Sequence, residues 1–198
     1  FKYYKKGRVK FLSHLNTIEV FKRAFTAAEI PVCYSMGYKK KPRFSFAPPL
    51  PYGITGENEL FDVLIVAGSG VDIQRINTFL PEGLKVKGYE RQEGTKSTLN
   101  KEITKALYRF SSDVIRTEQK CIQEFMSRDR VDVEIEKKGR RVVKNLRELV
   151  LRIEVKEMCF EALLLMEPGR TCRPADLIQA LYPGMDLMDF NPVRLLLE

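Results

Sequence analysis

One histidine, four scattered cysteines and a dense basic stretch are the residues here whose types and spacing can do chemistry. His14 follows Ser13, a helix-capping residue type, so it falls in the first turn of a helix running to about Ala28. There the helix dipole and nearby bases disfavour imidazolium and leave a neutral ring that can accept a proton near pH 7. With lysines to hold phosphate charge, such a base could cleave RNA through its own 2′-hydroxyl. The competing role is a hydrogen bond that fixes the helix entry, since no catalytic partner for His14 is evident.

The cysteines, Cys33, Cys121, Cys159 and Cys172, never form a CxxC. With a single histidine, that excludes a zinc site or iron–sulfur cluster held by this chain alone, and no cofactor is expected. All four lie in or beside apolar stretches and are expected as small buried hydrophobes in a reducing compartment.

The basic stretch is local. Of the formal net charge of +8 over 198 residues, residues 1–52 carry eight lysines and three arginines against Glu19 and Glu29, a net +9. A block of this kind raises a potential that attracts polyanions. Lys39, Lys40, Lys41 and Arg43, with Tyr38, bring mobile point charges, one planar fork and a stacking surface, which suits a phosphate backbone. Arg8 and Lys10, with other bases of 1–10 interleaved with Tyr3 and Tyr4, form a second patch that could join the first in one groove. Lys137-Lys138-Gly139-Arg140-Arg141 is a further basic turn, read as solvated rather than binding.

The elements that must position these residues follow from periodicity. Arg8–Leu12 alternates like a half-buried strand; the helix after it places Leu15, Ile18, Phe21, Phe25 and Ala28 inward and stops at Pro31. Short strands at Val32–Ser35, Phe61–Val66 and Leu84–Tyr89, and a helix after Asp72, complete a β-α-β-β-α-β order, the split βαβ of a ferredoxin-like domain. Residues 36–59 read as a long basic and Pro-rich loop. The expected layout is a basic domain at 1–92, a linker at 93–103 and a second ferredoxin-like half at 104–198. That gives an α+β protein with antiparallel sheets and helices on one face. The second half is expected to hold strands at Leu107–Ser111, Val131–Glu136, Leu149–Val155, Cys159–Met166 and Val193–Leu197, one more than the first. Its helices are expected at Thr117–Ser127 and Pro174–Leu181. No run nears the roughly 18 apolar residues of a membrane span, and no signal-peptide core opens the chain, so a cytoplasmic protein is expected.

Arg8-Val9-Lys10-Phe11-Leu12-Ser13-His14-Leu15-Asn16, Tyr34-Ser35-Met36-Gly37-Tyr38, Pro42-Arg43-Phe44-Ser45-Phe46-Ala47-Pro48-Pro49-Leu50-Pro51 and Glu59-Leu60-Phe61-Asp62 resemble a bacterial radical-SAM-linked family of unknown function. Its members are encoded beside, or fused to, a B12-binding radical SAM protein. The usual pattern has Asp at Asn16 and His-Pro at Lys41-Pro42, so a two-histidine site is not carried over and His14 stands alone. The charge map and the resemblance together point to a non-catalytic accessory that binds tRNA, rRNA or the ribosome for a radical SAM modification enzyme. The chain itself lacks the closely spaced cysteines of such an enzyme. Two other readings stay open: a metal-independent ribonuclease using His14, and a protein–protein adaptor working through the Pro-rich segment Ala47–Gly53.

Overall fold

The computed structural model describes residues 1–94, 99–117, 119–137 and 139–198. The chain divides into two compact units, Phe1–Ile103 and Thr104–Glu198, and its structure is of the α+β kind.

The first unit runs β1 (Lys2–Lys5), α1 (His14–Ala27), β2 (Phe44–Phe46), β3 (Thr55–Val63), α2 (Ile73–Thr78), β4 (Leu84–Gly88) and α3 (Leu99–Glu102). Its strands pair antiparallel in the order β2-β3-β1-β4. Side chains alternate across a strand, so Phe1, Tyr3 and Lys5 share one face, as do Glu59 and Phe61 on β3 and Leu84 and Val86 on β4. Helices α1 and α2 cover that face: Phe21, Ala24 and Phe25 of α1 and Ile76 of α2 share one buried cluster with Tyr3, Phe46, Phe61, Leu84 and Val86. Phe61 is its hub, with ring centroids 4.8 Å from Phe21, 4.9 Å from Phe46 and 5.2 Å from Phe1.

Ser13 caps α1 by accepting the Asn16 N–H at 3.1 Å. The helix is rotated slightly from the predicted face. Thr17, Phe21, Ala24 and Ala28 form the buried stripe, and Leu15, expected inward, is 72% exposed. Thr17 tolerates burial because its hydroxyl donates to the Ser13 carbonyl at 2.9 Å. At the other end, Ile30 N–H donates to Phe25 O and Glu29 N–H to Thr26 O, each at 3.0 Å, the paired bonds of a Schellman stop. Glycine normally takes the left-handed position of that motif, but here it is Glu29, at φ 58°. Holding a residue with a Cβ there costs ~1–2 kcal/mol. The exposed Glu29–Arg75 ion pair returns only ~0–1 kcal/mol. The outer edge of β4 is covered by one side chain. The Asn77 amide accepts from Val86 N–H at 2.8 Å and donates to Val86 O at 3.0 Å, which keeps another strand from pairing there.

Several boundaries differ from those expected. The first strand is Lys2–Lys5, and Gly7–Phe11 is a 3-10 turn, so the alternation of Arg8–Leu12 is not a strand. Gly7 turns the chain at φ 62°, and Lys6 N–H is drawn to Gly83 O at 2.8 Å. Val32–Ser35 makes only the single bridges Val32↔Ile65 and Tyr34↔Pro42; the second strand is Phe44–Phe46. The expected loop 36–59 therefore contains β2 and the start of β3, and β3 spans Thr55–Val63 rather than Phe61–Val66. Within the expected linker 93–103, residues 95–98 lie outside those described, Leu99–Glu102 is helical and Ile103 is buried.

The second unit runs β5 (Lys105–Ser111), α4 (Asp113–Thr117), α5 (Gln119–Ser127), β6 (Asp132–Lys137), β7 (Arg140–Asn145), β8 (Val150–Val155), β9 (Cys159–Glu167), β10 (Arg170–Thr171), α6 (Pro174–Leu181) and β11 (Val193–Leu197). Its sheet pairs β8 with β9, β9 with β5 and β5 with β11, all antiparallel, and β10 adds to the end of β9. β6 and β7 pair only with each other, as a separate two-stranded arm. The unit thus has seven strands among the described residues, against four in the first, not one more. The excess is β7, hidden in sequence by its basic start, and the two-residue β10. The expected helix Thr117–Ser127 is α5, with α4 before it, and carries Ile122 and Phe125 inward.

The candidate nucleic-acid interface

Residues 33–43 form a finger leaving the end of β3. Its root is stitched by backbone bonds: Cys33 N–H to Leu64 O at 2.7 Å, Arg43 N–H to Cys33 O at 2.9 Å and Leu64 N–H to Arg43 O at 3.1 Å. Above the root, Ser35 N–H donates to Lys41 O at 2.8 Å, and Lys41 N–H to Ser35 Oγ at 3.0 Å. What this holds up is open to solvent. Met36 is 100% and Tyr38 103% exposed, and Lys39, Lys40, Lys41 and Arg43 are all exposed. The finger thus presents a fully exposed aromatic ring among four exposed cations.

The finger's charge reaches α1. Glu19 has its carboxyl held below the usual range, first by the Lys22 hydrogen bond and charge, then by Arg23 and Lys41; its bond from Lys22 Nζ is 2.7 Å. Between the finger root and the end of α1 lies a groove of about 220 Å³, lined by Lys22, Thr26, Glu29, Pro31, Tyr34 and Phe44 among others. Tyr34 is 51% exposed there.

The second basic patch sits elsewhere. Arg8 is exposed and Lys10 half-buried on the 3-10 turn, with Lys10 Nζ 5.1 Å above the Phe11 ring and Phe11 5.4 Å from Tyr52. Lys10 O accepts from Gly53 N–H at 3.2 Å, just before β3 begins. Gly56, opposite Lys5, and Leu64, at the finger root, are eight residues apart on the same chain. At ~3.3 Å per residue that is roughly 26 Å. The two patches are rooted at opposite ends of β3, not in the single groove expected of them.

His14 lies in the first turn of α1, half-buried, its ring edge-on to Phe46 with centroids 5.9 Å apart. Two charges not singled out from the sequence are buried in this unit. Lys5 and Glu59 are each 2% exposed. Lys5 Nζ donates to Leu12 O at 2.6 Å. The Glu59 side chain folds over Gly56, where a Cβ would stand 2.7 Å from its Cγ and Oε1. Because Gly56 faces Lys5 across β1–β3, both charges occupy one corner beneath the 3-10 turn. Buried charges are retained only when compensated, and here one of them ties down the turn carrying Arg8 and Lys10. The available signal was alternation: Lys5 follows Phe1 and Tyr3, and Glu59 precedes Phe61, at spacings of two.

In the Pro-rich segment, Ala47 and Leu50 are buried while Tyr52 is 67% exposed. Of the four cysteines only Cys172 is buried; Cys33, Cys121 and Cys159 are half-buried, so three of the four are not the buried hydrophobes expected. Among the described residues no group of three or more His, Cys, Asp or Glu side chains could hold a metal ion. Nor is any helix among them long and apolar enough to cross a membrane. In the second unit, the basic turn 137–141 joins β6 to β7; Lys138 lies outside the described residues, and Arg141 is exposed, 3.9 Å from Glu134.

No curated protein matches the chain. A family model described as "Uncharacterized protein conserved in bacteria (DUF2344)" matches residues 1–174. With that match over most of its length, the chain belongs to this bacterial family.

Proposed function

We propose that the protein is a non-catalytic RNA-binding accessory, taking single-stranded segments of tRNA, rRNA or the ribosome on the finger 33–43. The carrying observation is Tyr38, wholly exposed beside Lys39, Lys40, Lys41 and Arg43 on a root pinned by backbone bonds. Aromatic stacking with flexible cations is how sequence-tolerant single-strand binding is built. Arg8 and Lys10 would contact a strand long enough to run the length of β3. The radical SAM modification enzyme as partner rests on the sequence resemblance. So does the choice of RNA over other polyanions.

The same reading takes each unit as a ferredoxin-like half joined through residues 93–103. What supports it is the shared order of the core strands: β2-β3-β1-β4 in the first and β8-β9-β5-β11 in the second. His14, edge-on to Phe46 in a capped first turn, is better suited to fixing the helix entry than to attacking RNA.

Fluorescence anisotropy with an unstructured RNA, across a salt series, tests the interface. Four finger cations on a single strand predict a log–log salt slope of about −3. The triple variant Lys39→Glu/Lys40→Glu/Lys41→Glu is expected to lose both the binding and the slope. Binding that survives in that variant would overturn the assignment.

A further inference from the structure

The groove beside the finger has features that phosphate contacts do not require. Its capacity of about 220 Å³ is below the ~300–1,000 Å³ of pockets that enclose drug-sized ligands, but it can take one planar ring system. Pro31, Tyr34, Pro42 and Phe44 give it an apolar lining, and Lys22, Thr26 and Glu29 a polar one. Tyr34 and Pro42 are also the bridge that closes the finger root, so the groove adjoins the element that carries Lys39–Lys41. Glu29 is the unexpected residue. It occupies a left-handed position at φ 58° that glycine would take without strain, and its pairing with Arg75 is at the exposed surface. A carboxylate kept at a strained position on the rim of a groove points to a ligand that donates hydrogen bonds.

We propose that this groove receives one unstacked guanine of the bound strand, its ring against Tyr34 and its N1–H and N2–H donating to the Glu29 carboxylate. The proposal rests on the finger as an RNA-binding element and adds the base that is read there. Guanine is the base that offers two adjacent N–H donors to the two oxygens of a carboxylate. Uracil offers one N–H between two carbonyls that repel it, and adenine and cytosine offer an amine beside an acceptor nitrogen. Arg75 takes one lone pair of Glu29, and a carboxylate has about four acceptor sites, so both can be served together. Apolar walls and Watson–Crick-edge hydrogen bonds are the usual means of holding a base taken out of its stack.

The test compares a short uridine-only RNA with the same strand carrying one central guanine, adenine or inosine. The wild-type protein should bind the guanine strand about tenfold more tightly than the others, the yield of one good bidentate contact. Inosine, which lacks the N2 amine, should fall short of guanine. Glu29→Gln and Glu29→Gly should both erase the preference while keeping the salt slope. Glu29→Gly should also melt at a higher temperature, which separates a lost contact from a lost fold. Tyr34→Ala should weaken the guanine strand more than the uridine strand. Equal binding of guanine and uridine by the wild type, or of guanine and inosine, overturns the proposal, as does a preference that survives Glu29→Gly. If the triple-lysine variant loses binding but no guanine preference exists, the finger stands and the groove falls. If guanine preference persists in the triple-lysine variant, the finger assignment falls and the groove stands.

Discussion

Two basic-tipped excursions leave the two units at the same point in chain order, between the first helical segment and the second strand of the core sheet. The finger 33–43 and the β6–β7 arm are built in opposite ways. The arm is a regular hairpin of six register pairs from Asp132↔Asn145 to Lys137↔Arg140. It carries its own counter-charge: the Arg141 guanidinium lies 3.9 Å from Glu134. The finger has no acidic residue between Pro31 and Arg43. It keeps its root in register with only a few backbone bonds and leaves Met36 and Tyr38 fully exposed. A basic cluster that contains its own acids is a solvated ladder. One that lacks them holds a potential open for a partner.

The roots differ as much as the tips, and there the largest effect is expected. The arm is anchored by a buried cluster. Asp176, 5% exposed, accepts from Arg173 Nη2 at 2.6 Å and from its Nε at 3.0 Å. Lys144 of β7 lies 3.6 Å from the same carboxylate and donates to Thr171 O. Asp176→Ala strips the Lys144 ammonium, 17% exposed, of its carboxylate, while Arg173 is left to solvent, so the loss should be on the order of 2 kcal/mol in chemical denaturation. Ser35→Ala, which removes one exposed bond from the finger, should cost about 1 kcal/mol or less. Similar losses in the two variants would mean that the finger is also braced by its root and is no simple surface excursion.

Charge reversal on the finger comes next. Lys39→Glu/Lys40→Glu/Lys41→Glu should lower RNA affinity on the order of 100-fold near physiological salt while leaving the denaturation midpoint almost unmoved, because all three side chains are exposed.

A thiol at each root gives a third contrast. Cys33 N–H closes the finger root, and Cys33 is half-buried. Cys172 follows the arm's anchor Thr171, and burial pushes its thiol from 9.0 up to about 12, with Asp176 adding to the rise and Lys144 and Arg173 opposing it. The folded state therefore keeps a proton that the unfolded chain gives up, so this contribution is complete below pH 9 and is lost as pH rises from about 9 toward 12. From this thiol alone stability should fall over that window by at most ~1.4 kcal/mol per pH unit, and Cys172→Ala should make the alkaline fall shallower by that share. Alkylation at pH 8 should reach Cys33 in the folded protein and Cys172 only when the unit opens. Equal rates at the two thiols would contradict the difference between the roots.

What was legible in the sequence follows the range of the forces involved. Pro174–Leu181 and Val193–Leu197 form at the expected residues, because a proline in the first helical turn and an apolar run after Asn191-Pro192 are local signals. The finger's composition was also local, so Tyr38, Lys39, Lys40, Lys41 and Arg43 could be singled out from type alone. The first strand could not be placed. Two alternating stretches, Phe1-Tyr3-Lys5 and Arg8-Lys10, adjoin, and the break between them is decided by a bond from Lys6 to Gly83, far along the chain. Leu15 was misplaced because a rotation of one helix against its sheet exchanges it for Thr17. The groove was invisible for a related reason. Glu29 and Tyr34 come together only once Pro42 and Phe44 return against the end of α1, and strain at Glu29 is a property of the helix stop, not of the residue.

The smallest effect should come from the arm itself, and it bears most directly on the comparison. Arg140→Glu/Arg141→Glu changes the charge by as much, residue for residue, as the finger variant does. If charge alone drew RNA to this protein, the loss per residue would match that on the finger. On the arm Asp132 pairs with Arg130 and Glu134 with Arg141, so its field at a phosphate is partly cancelled within a Debye length of about 8 Å at physiological salt. The double variant should therefore shift RNA affinity by no more than about threefold and the salt slope by less than about 0.7, the value of one single-strand phosphate contact. A shift as steep as the finger's would make the arm a second contact and remove the distinction between the two clusters.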